Sequence, residues 1–222
     1  MIQPDEDQLA DAAGFVLAGG KSGRMGSDKA LVQLGGRPLV AHALDILRLA
    51  GVPGAICGSA SSIGEDATVI QDTEPGRGPL GGVCAALQFT TARHAVFLSV
   101  DSPFIPASLI LYLLDHARIT GAAVTLPSVA GHAQTFPAVV VRAVLGRLKF
   151  ALDSGVGGCF AAFQKAAKES GSGFSVLPVE SLVQPGQVAH PDHLPPAFWF
   201  LNLNTRDDLG KAESLLAGYR VI

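Results

Sequence analysis

The sequence predicts a three-layer α/β domain, a mainly parallel sheet with helices on both faces. Three observations carry this reading. Short apolar runs alternate with helix-length segments, the order expected of repeated βαβ units. Several of those runs are unbroken in apolarity, as strands covered on both faces are. The helix-length segments carry their own start and stop signals in proline, glycine and capping residues. At 222 residues, with 48% hydrophobic and 16% charged, the chain has the composition of one globular domain with a substantial core.

Taken in order, residues 1–13 are acidic (Asp5, Glu6, Asp7, Asp11) and lack the positive start and apolar stretch of a secretory signal. They are expected to form a flexible leader before a single domain at 14–222. Strands are expected at 15–18, 55–57, 68–70, 95–100 and 122–126. The segment 38–50 begins with Pro38, places Leu39, Val40, Ala43, Leu44 and Leu47 at helical spacing, and is followed by Gly51, so both helix boundaries are written in. Segments 79–90 and 106–118 repeat the form. Two more helices are expected at 142–152 and 159–168, and a last one from Thr205, where Thr205 and Asp208 have capping-box spacing. Between them, 180–196 holds Pro185, Pro191, Pro195 and Pro196, which argues for a long loop, either a substrate lid or a mobile insertion.

Composition also excludes function classes. The formal net charge of −3 and the lack of a basic block argue against nucleic acid or an anionic membrane as the partner. No apolar run approaches the roughly 20 residues a membrane helix requires, so the expected location is the cytoplasm. Cys57, Cys84 and Cys159 form an odd set without a CxxC pair, which fits three buried thiols in a reducing compartment.

The first expected strand runs into LAGGKSGRMGSDKAL, residues 17–31. Its glycines allow a backbone to bend tightly and bring N–H groups against phosphate oxygens, while Arg24 and Lys29 supply positive charge. The same composition also fits a Gly-rich turn bearing two solvated cations. It is not a Walker A loop, because the glycine required five places before Gly20 is Phe15. Nor is it GxGxxG, since Gly20, Gly23 and Gly26 are spaced three apart.

The stretch closely resembles LAGGxSxRMGxDKAL of the molybdenum cofactor guanylyltransferases. Three further segments extend the resemblance over roughly 15–209: Asp72 followed by GPLGG at 78–82, DSPFIP at 101–106, and NLNTRDDL at 202–209, where Arg206 replaces the family's usual proline. The resemblance implies a Rossmann-like nucleotidyltransferase fold and a loop that wraps a triphosphate. Arg24 and Lys29 then neutralise charge, and Leu17, Ala18, Gly19, Gly20, Gly26, Asp72, Gly78 and Gly82 line the nucleotide. Asp101, at the end of the most apolar strand, suits Mg²⁺ (or Mn²⁺), which prefers one or two carboxylates plus phosphate oxygens. Asn202 and Asn204, at alternate positions and hence on one side of an extended segment, could complete a metal or an acceptor site and are assigned with Gln134 to the acceptor side. Near Gln134 the family's QPxxALY-like stretch has its proline displaced, which bears on acceptor recognition.

The implied reaction is transfer of GMP from GTP to molybdopterin or molybdenum-molybdopterin, with transient contact to cofactor-insertion or molybdoenzyme maturation proteins. Cytidylyl transfer, another phosphorylated acceptor, and a non-catalytic nucleotide-binding regulator are the alternatives. Related cytidylyltransferases carry LAAG, so Gly19 leans toward guanine. The string His190-Pro191-Asp192-His193 imitates a metal cluster, but no helical spacing supports one.

Overall fold

A computed structural model describes residues 11–19, 28–58, 68–71 and 76–219. The elements are β1 (Ala12–Leu17), a 3₁₀ turn (Lys29–Leu31), a small hairpin of β2 (Gln33–Leu34) and β3 (Arg37–Pro38), α1 (Leu39–Leu49), β4 (Gly54–Cys57) and β5 (Val69–Ile70). There follow α2 (Gly78–Phe89), β6 (His94–Ser99), α3 (Ala107–Thr120), β7 (Val124–Val129), β8 (His132–Ala133) and β9 (Ala138–Val141). After a second 3₁₀ turn (Arg142–Val144) come α4 (Leu145–Asp153), α5 (Gly158–Ser170), β10 (Phe174–Pro178), α6 (Val179–Val183), α7 (Pro196–Trp199) and α8 (Arg206–Tyr219).

The main sheet has the order β10-β7-β9-β6-β1-β4-β5, with β8 paired to β7. Strands β5, β4, β1 and β6 run parallel, as does the pair β10 and β7, whereas β9 is antiparallel to both its neighbours. The chain lays β1, β4 and β5 outward in one direction and then returns to place β6 on the other side of β1. That reversal makes the carboxyl ends of β1 and β6 a topological switch point, where open α/β sheets hold ligands.

Period-two side-chain alternation sends the sheet into two cores. Phe15, Leu17, Ala95 and Phe97 face α2, α4 and α5. Ala12, Val16, Val96 and Leu98 face α1, α3 and the C-terminal segments. Helix α1 sits unusually close to the sheet because Gly14 and Gly54, paired across β1 and β4, leave room for Leu47. A Cβ on Gly14 would lie 2.7 Å from Leu47 Cδ2. All three cysteines are buried and none is in a disulfide.

Of the stretch expected as a leader, residues 1–10 lie outside the described residues, while β1 already begins at Ala12 and the Asp11 carbonyl accepts the His94 backbone N–H at 3.0 Å. The 180–196 stretch carries no helix or strand from 184 to 195, as a loop should, and is bracketed by α6 and α7; its Val188 and Leu194 are buried in the α3-side core with Trp199 of α7. Proline density removes backbone donors, but an Nε1–H···O bond from Trp199 to the Leu194 carbonyl at 2.6 Å closes the segment with a side chain instead. Strands β8, β9 and β10 were not expected from the sequence. Among the described residues no helix is long and apolar enough to cross a membrane.

Two buried histidines are expected to make this fold acid-sensitive. Burial holds the His94 ring below the ordinary histidine range, with the Asp11 carboxylate, 3.0 Å from Nδ1, opposing it. Burial likewise lowers His190, whose Nδ1 accepts the Asp192 backbone N–H at 3.1 Å and so belongs to a neutral ring. A lowered folded pKa means that the unfolded chain binds more protons in the window just below pH 6.5, so stability rises with pH across that window and falls as pH drops through it. The urea midpoint is expected to be lower at pH 5.5 than at pH 7.5, and the His190→Gln variant should lose part of that drop. An identical drop in variant and wild type would remove His190 from the linkage.

Candidate functional site

The site is built where β1 and β6 end. Leu17 is in register with Ser99, and the Val100 N–H donates to the Leu17 carbonyl at 3.3 Å, so the chain leaving β1 toward Gly19 emerges beside Asp101. Leu17 and Ala18 are buried, Gly19 is exposed, and a Cβ on Gly19 would meet nothing within 4 Å among the described residues. Beneath it lies Gly58, at the end of β4, with φ +134°; a Cβ there would be 2.8 Å from the Gly19 nitrogen, so only glycine lets the two backbones approach. Gly20, Arg24, Gly26 and Asp72 lie outside the described residues.

Lys29 opens the short 3₁₀ turn, which Asp28 caps by accepting the Ala30 N–H at 3.1 Å. From there its Nζ donates to Asp101 Oδ2 at 2.6 Å and to Asn204 Oδ1 at 2.6 Å. The Lys29 and Asp101 side chains are each only 16% exposed. The other carboxylate oxygen, Asp101 Oδ1, accepts the Ser99 hydroxyl. One ammonium thus stands where two hard oxygen ligands converge.

The segment carrying the two amides is pinned to Asp101 by its backbone, the Leu203 N–H donating to the Asp101 carbonyl at 2.9 Å. Leu203 is fully buried while Asn202 and Asn204 are exposed on its two sides, the alternation expected of an extended segment. Asn202 Oδ1 accepts the Ser102 hydroxyl at 2.8 Å. The register of Asn204 is set by the capping box at the start of α8: Asp208 Oδ2 accepts the backbone N–H groups of Asn204 (3.1 Å) and Thr205 (2.9 Å), and the Asp208 N–H donates to Thr205 Oγ1 at 3.1 Å. The Thr205 hydroxyl, which also donates to Asp208, holds that carboxyl below its ordinary range, helped by the Asn204 N–H.

Gly78 is the first residue of α2 and is exposed. Gly82 lies one turn further in, where a Cβ would touch Leu17 Cδ2 at 3.3 Å and Cys57 Cβ at 3.8 Å, so its nearest neighbours are the ends of β1 and β4. Gln134 follows β8, its backbone N–H donating to the Pro127 carbonyl and its amide to the His132 carbonyl, which places it on the same carboxyl edge as Asp101. Sequence reasoning missed Ser99, Ser102 and Gly58. Of the two hydroxyls, that of Ser99 had a usable signal, since a serine two residues before a strand-end carboxylate shares its side of the strand.

The donor set fits a small divalent cation. Asp101 and Asn204 present oxygens, and no group of three or more His, Cys, Asp or Glu that could form a closed cage occurs among the described residues. One carboxylate, with further oxygens from a bound phosphate, is the pattern Mg²⁺ uses. The His190 and His193 string forms no such site.

Comparison with known proteins gives a consistent result. Residues 14–170 match the family model described as the MobA-like NTP transferase domain. A molybdenum cofactor guanylyltransferase of Rhodobacter capsulatus is 31% identical over 210 residues, covering 92% of this chain and 96% of that protein. Another, of Rhizobium johnstonii, is 43% identical over 106 residues, a match spanning 46% of this chain and half (50%) of the relative. In structure, the chain resembles molybdopterin-guanine dinucleotide biosynthesis protein A of Archaeoglobus fulgidus with a TM-score of 0.73 at 22% identity, over 93% of this chain and 99% of that one.

Proposed function

The chain belongs to the MobA-like NTP transferase family, and from that premise we propose that it transfers GMP from GTP to the terminal phosphate of molybdopterin or molybdenum-molybdopterin. An acceptor phosphate oxygen bonds to the α-phosphorus, the bond from that phosphorus to the bridging oxygen breaks, and pyrophosphate leaves with the electron pair. The observation that carries the reading is the convergence of Lys29 and Asp101 at the switch point, where β1 and β6 end side by side.

No protein nucleophile is needed, because a phosphomonoester is already anionic near neutral pH. Catalysis then consists of alignment and charge neutralisation. Asp101, with Asn204 beside it, would hold Mg²⁺, which supplies Lewis-acid neutralisation of the phosphate oxygens. Lys29 and Arg24 add cationic charge along the triphosphate. Gly19 and its neighbours offer backbone N–H groups, Asp72 and Gly78 the base and ribose side, and Asn202 and Gln134 the acceptor side. A single domain that begins with β1, at Ala12 rather than at 14, and a cytoplasmic location belong to the same reading.

The test is incubation with molybdopterin, Mg²⁺ and each of GTP, CTP, ATP and UTP, followed by identification of the product by mass. The expected product is the guanine dinucleotide, with pyrophosphate released in equal amount. Pyrophosphate release with none of the four would move the protein to a nucleotide-binding regulatory role.

A further inference from the structure

Resting on the reading of Asp101 as a metal ligand, we infer that Lys29 is the resident cation of this site, and that a divalent ion binds Asp101 only by displacing the Lys29 ammonium. The geometry leaves little alternative. Of the two Asp101 oxygens, Oδ1 is engaged by the Ser99 hydroxyl and Oδ2 lies 2.6 Å from Lys29 Nζ. The nearby amide oxygen, Asn204 Oδ1, is also 2.6 Å from the same nitrogen. A divalent ion using these oxygens would occupy the point where the ammonium sits, and two cations cannot share it.

The pair is partly shielded from solvent, both side chains being 16% exposed, so it is screened less than a surface pair. The partners of Lys29, Asp101 beyond β6 and Asn204 before α8, are each held in place: the Leu203 N–H donates to the Asp101 carbonyl, and the Asn204 N–H to Asp208 Oδ2. Lys29 is therefore a self-made placeholder that keeps two acidic and polar ligands in position before the substrate arrives. A triphosphate changes the balance. Its oxygens give the displaced ammonium a new partner and give the incoming ion additional ligands, so metal and nucleotide enter together and each strengthens the other. Metal alone binds with an affinity reduced by the fraction of protein in which Lys29 still occupies the site.

The experiment measures Mn²⁺ binding to the nucleotide-free protein by electron paramagnetic resonance, without reference to turnover. Lys29→Met is expected to bind Mn²⁺ about tenfold more tightly than wild type, the effect of removing one charged hydrogen-bonding competitor. Lys29→Arg, which keeps the charge, should stay near wild type, and Lys165→Met, which removes the same charge on α5, should leave the affinity unchanged. Lys29→Gln serves as a second neutral variant if the Met variant does not melt cooperatively. Binding by the neutral variants no tighter than wild type overturns the inference, as does equal tightening in Lys165→Met. Undiminished Mn²⁺ binding by Asp101→Asn would instead show that the metal assignment has failed.

Discussion

Asp101→Asn is expected to lower kcat/KM with GTP by about a thousandfold or more while leaving the protein folded. The substitution keeps the shape of the side chain and removes the charge that would hold a divalent cation against the triphosphate. Nothing in the core is emptied: Asp101 stands beyond the end of β6, and its backbone carbonyl still accepts the Leu203 N–H. The stability cost is that of one partly exposed ion pair with Lys29, about 1 kcal/mol, or about 2 to 4 °C in Tm for a chain of this length. Steady-state kinetics across a Mg²⁺ titration, beside a thermal melt, checks both halves. Equal activity of variant and wild type at every Mg²⁺ concentration would sink the metal assignment, and loss of cooperative melting would show that Asp101 is structural.

Guanine is expected to exceed cytosine by a hundredfold or more in kcat/KM, with the ratio falling in Gly19→Ala. A site that hydrogen-bonds one base edge leaves its own polar groups unpaired against a base with the wrong donors, and discrimination of about this size follows. The structure makes the Gly19 experiment clean. An added Cβ there meets no atom of the described residues within 4 Å and the backbone lies outside the left-handed region, so alanine is expected to be tolerated by the fold and to act on the ligand. Gly58 is the contrasting position, since its Cβ would strike the Gly19 nitrogen at 2.8 Å and a loss of activity there would report on folding. Parallel assays with GTP and CTP decide the matter. If CTP is the better substrate of the unmodified protein, the guanylyl assignment is wrong, whereas the reaction type and the metal site would stand.

Much of the site was legible because α/β chains put chemistry at strand ends. The run that becomes β6 is apolar up to Ser99, so the carboxylate at Asp101 marks the exit from the core. The glycines after β1 announced a backbone bend, and the Thr205 and Asp208 spacing announced the cap that the structure shows. Less was legible where the signal is short. The four apolar residues of β9 have no period that separates a strand from a helix fragment, and only their pairing with β6 and β7 makes them a strand. The prolines after 180 did describe missing donors, but not the burial of Val188, Leu194 and Trp199 that orders the segment.

What the sequence by itself determined is the layered α/β class, the longer helices with their approximate boundaries, and the residue types at the site, because these depend on periodicity and capping within a few residues. Tertiary structure alone decided that β9 enters the sheet antiparallel, that Gly58 must lack a side chain, and that Lys29 meets Asn204 from 175 positions away along the chain. Those contacts join segments whose local preferences carry no information about each other; they follow from the sheet order and from the carbonyl of Asp101 holding Leu203 in place.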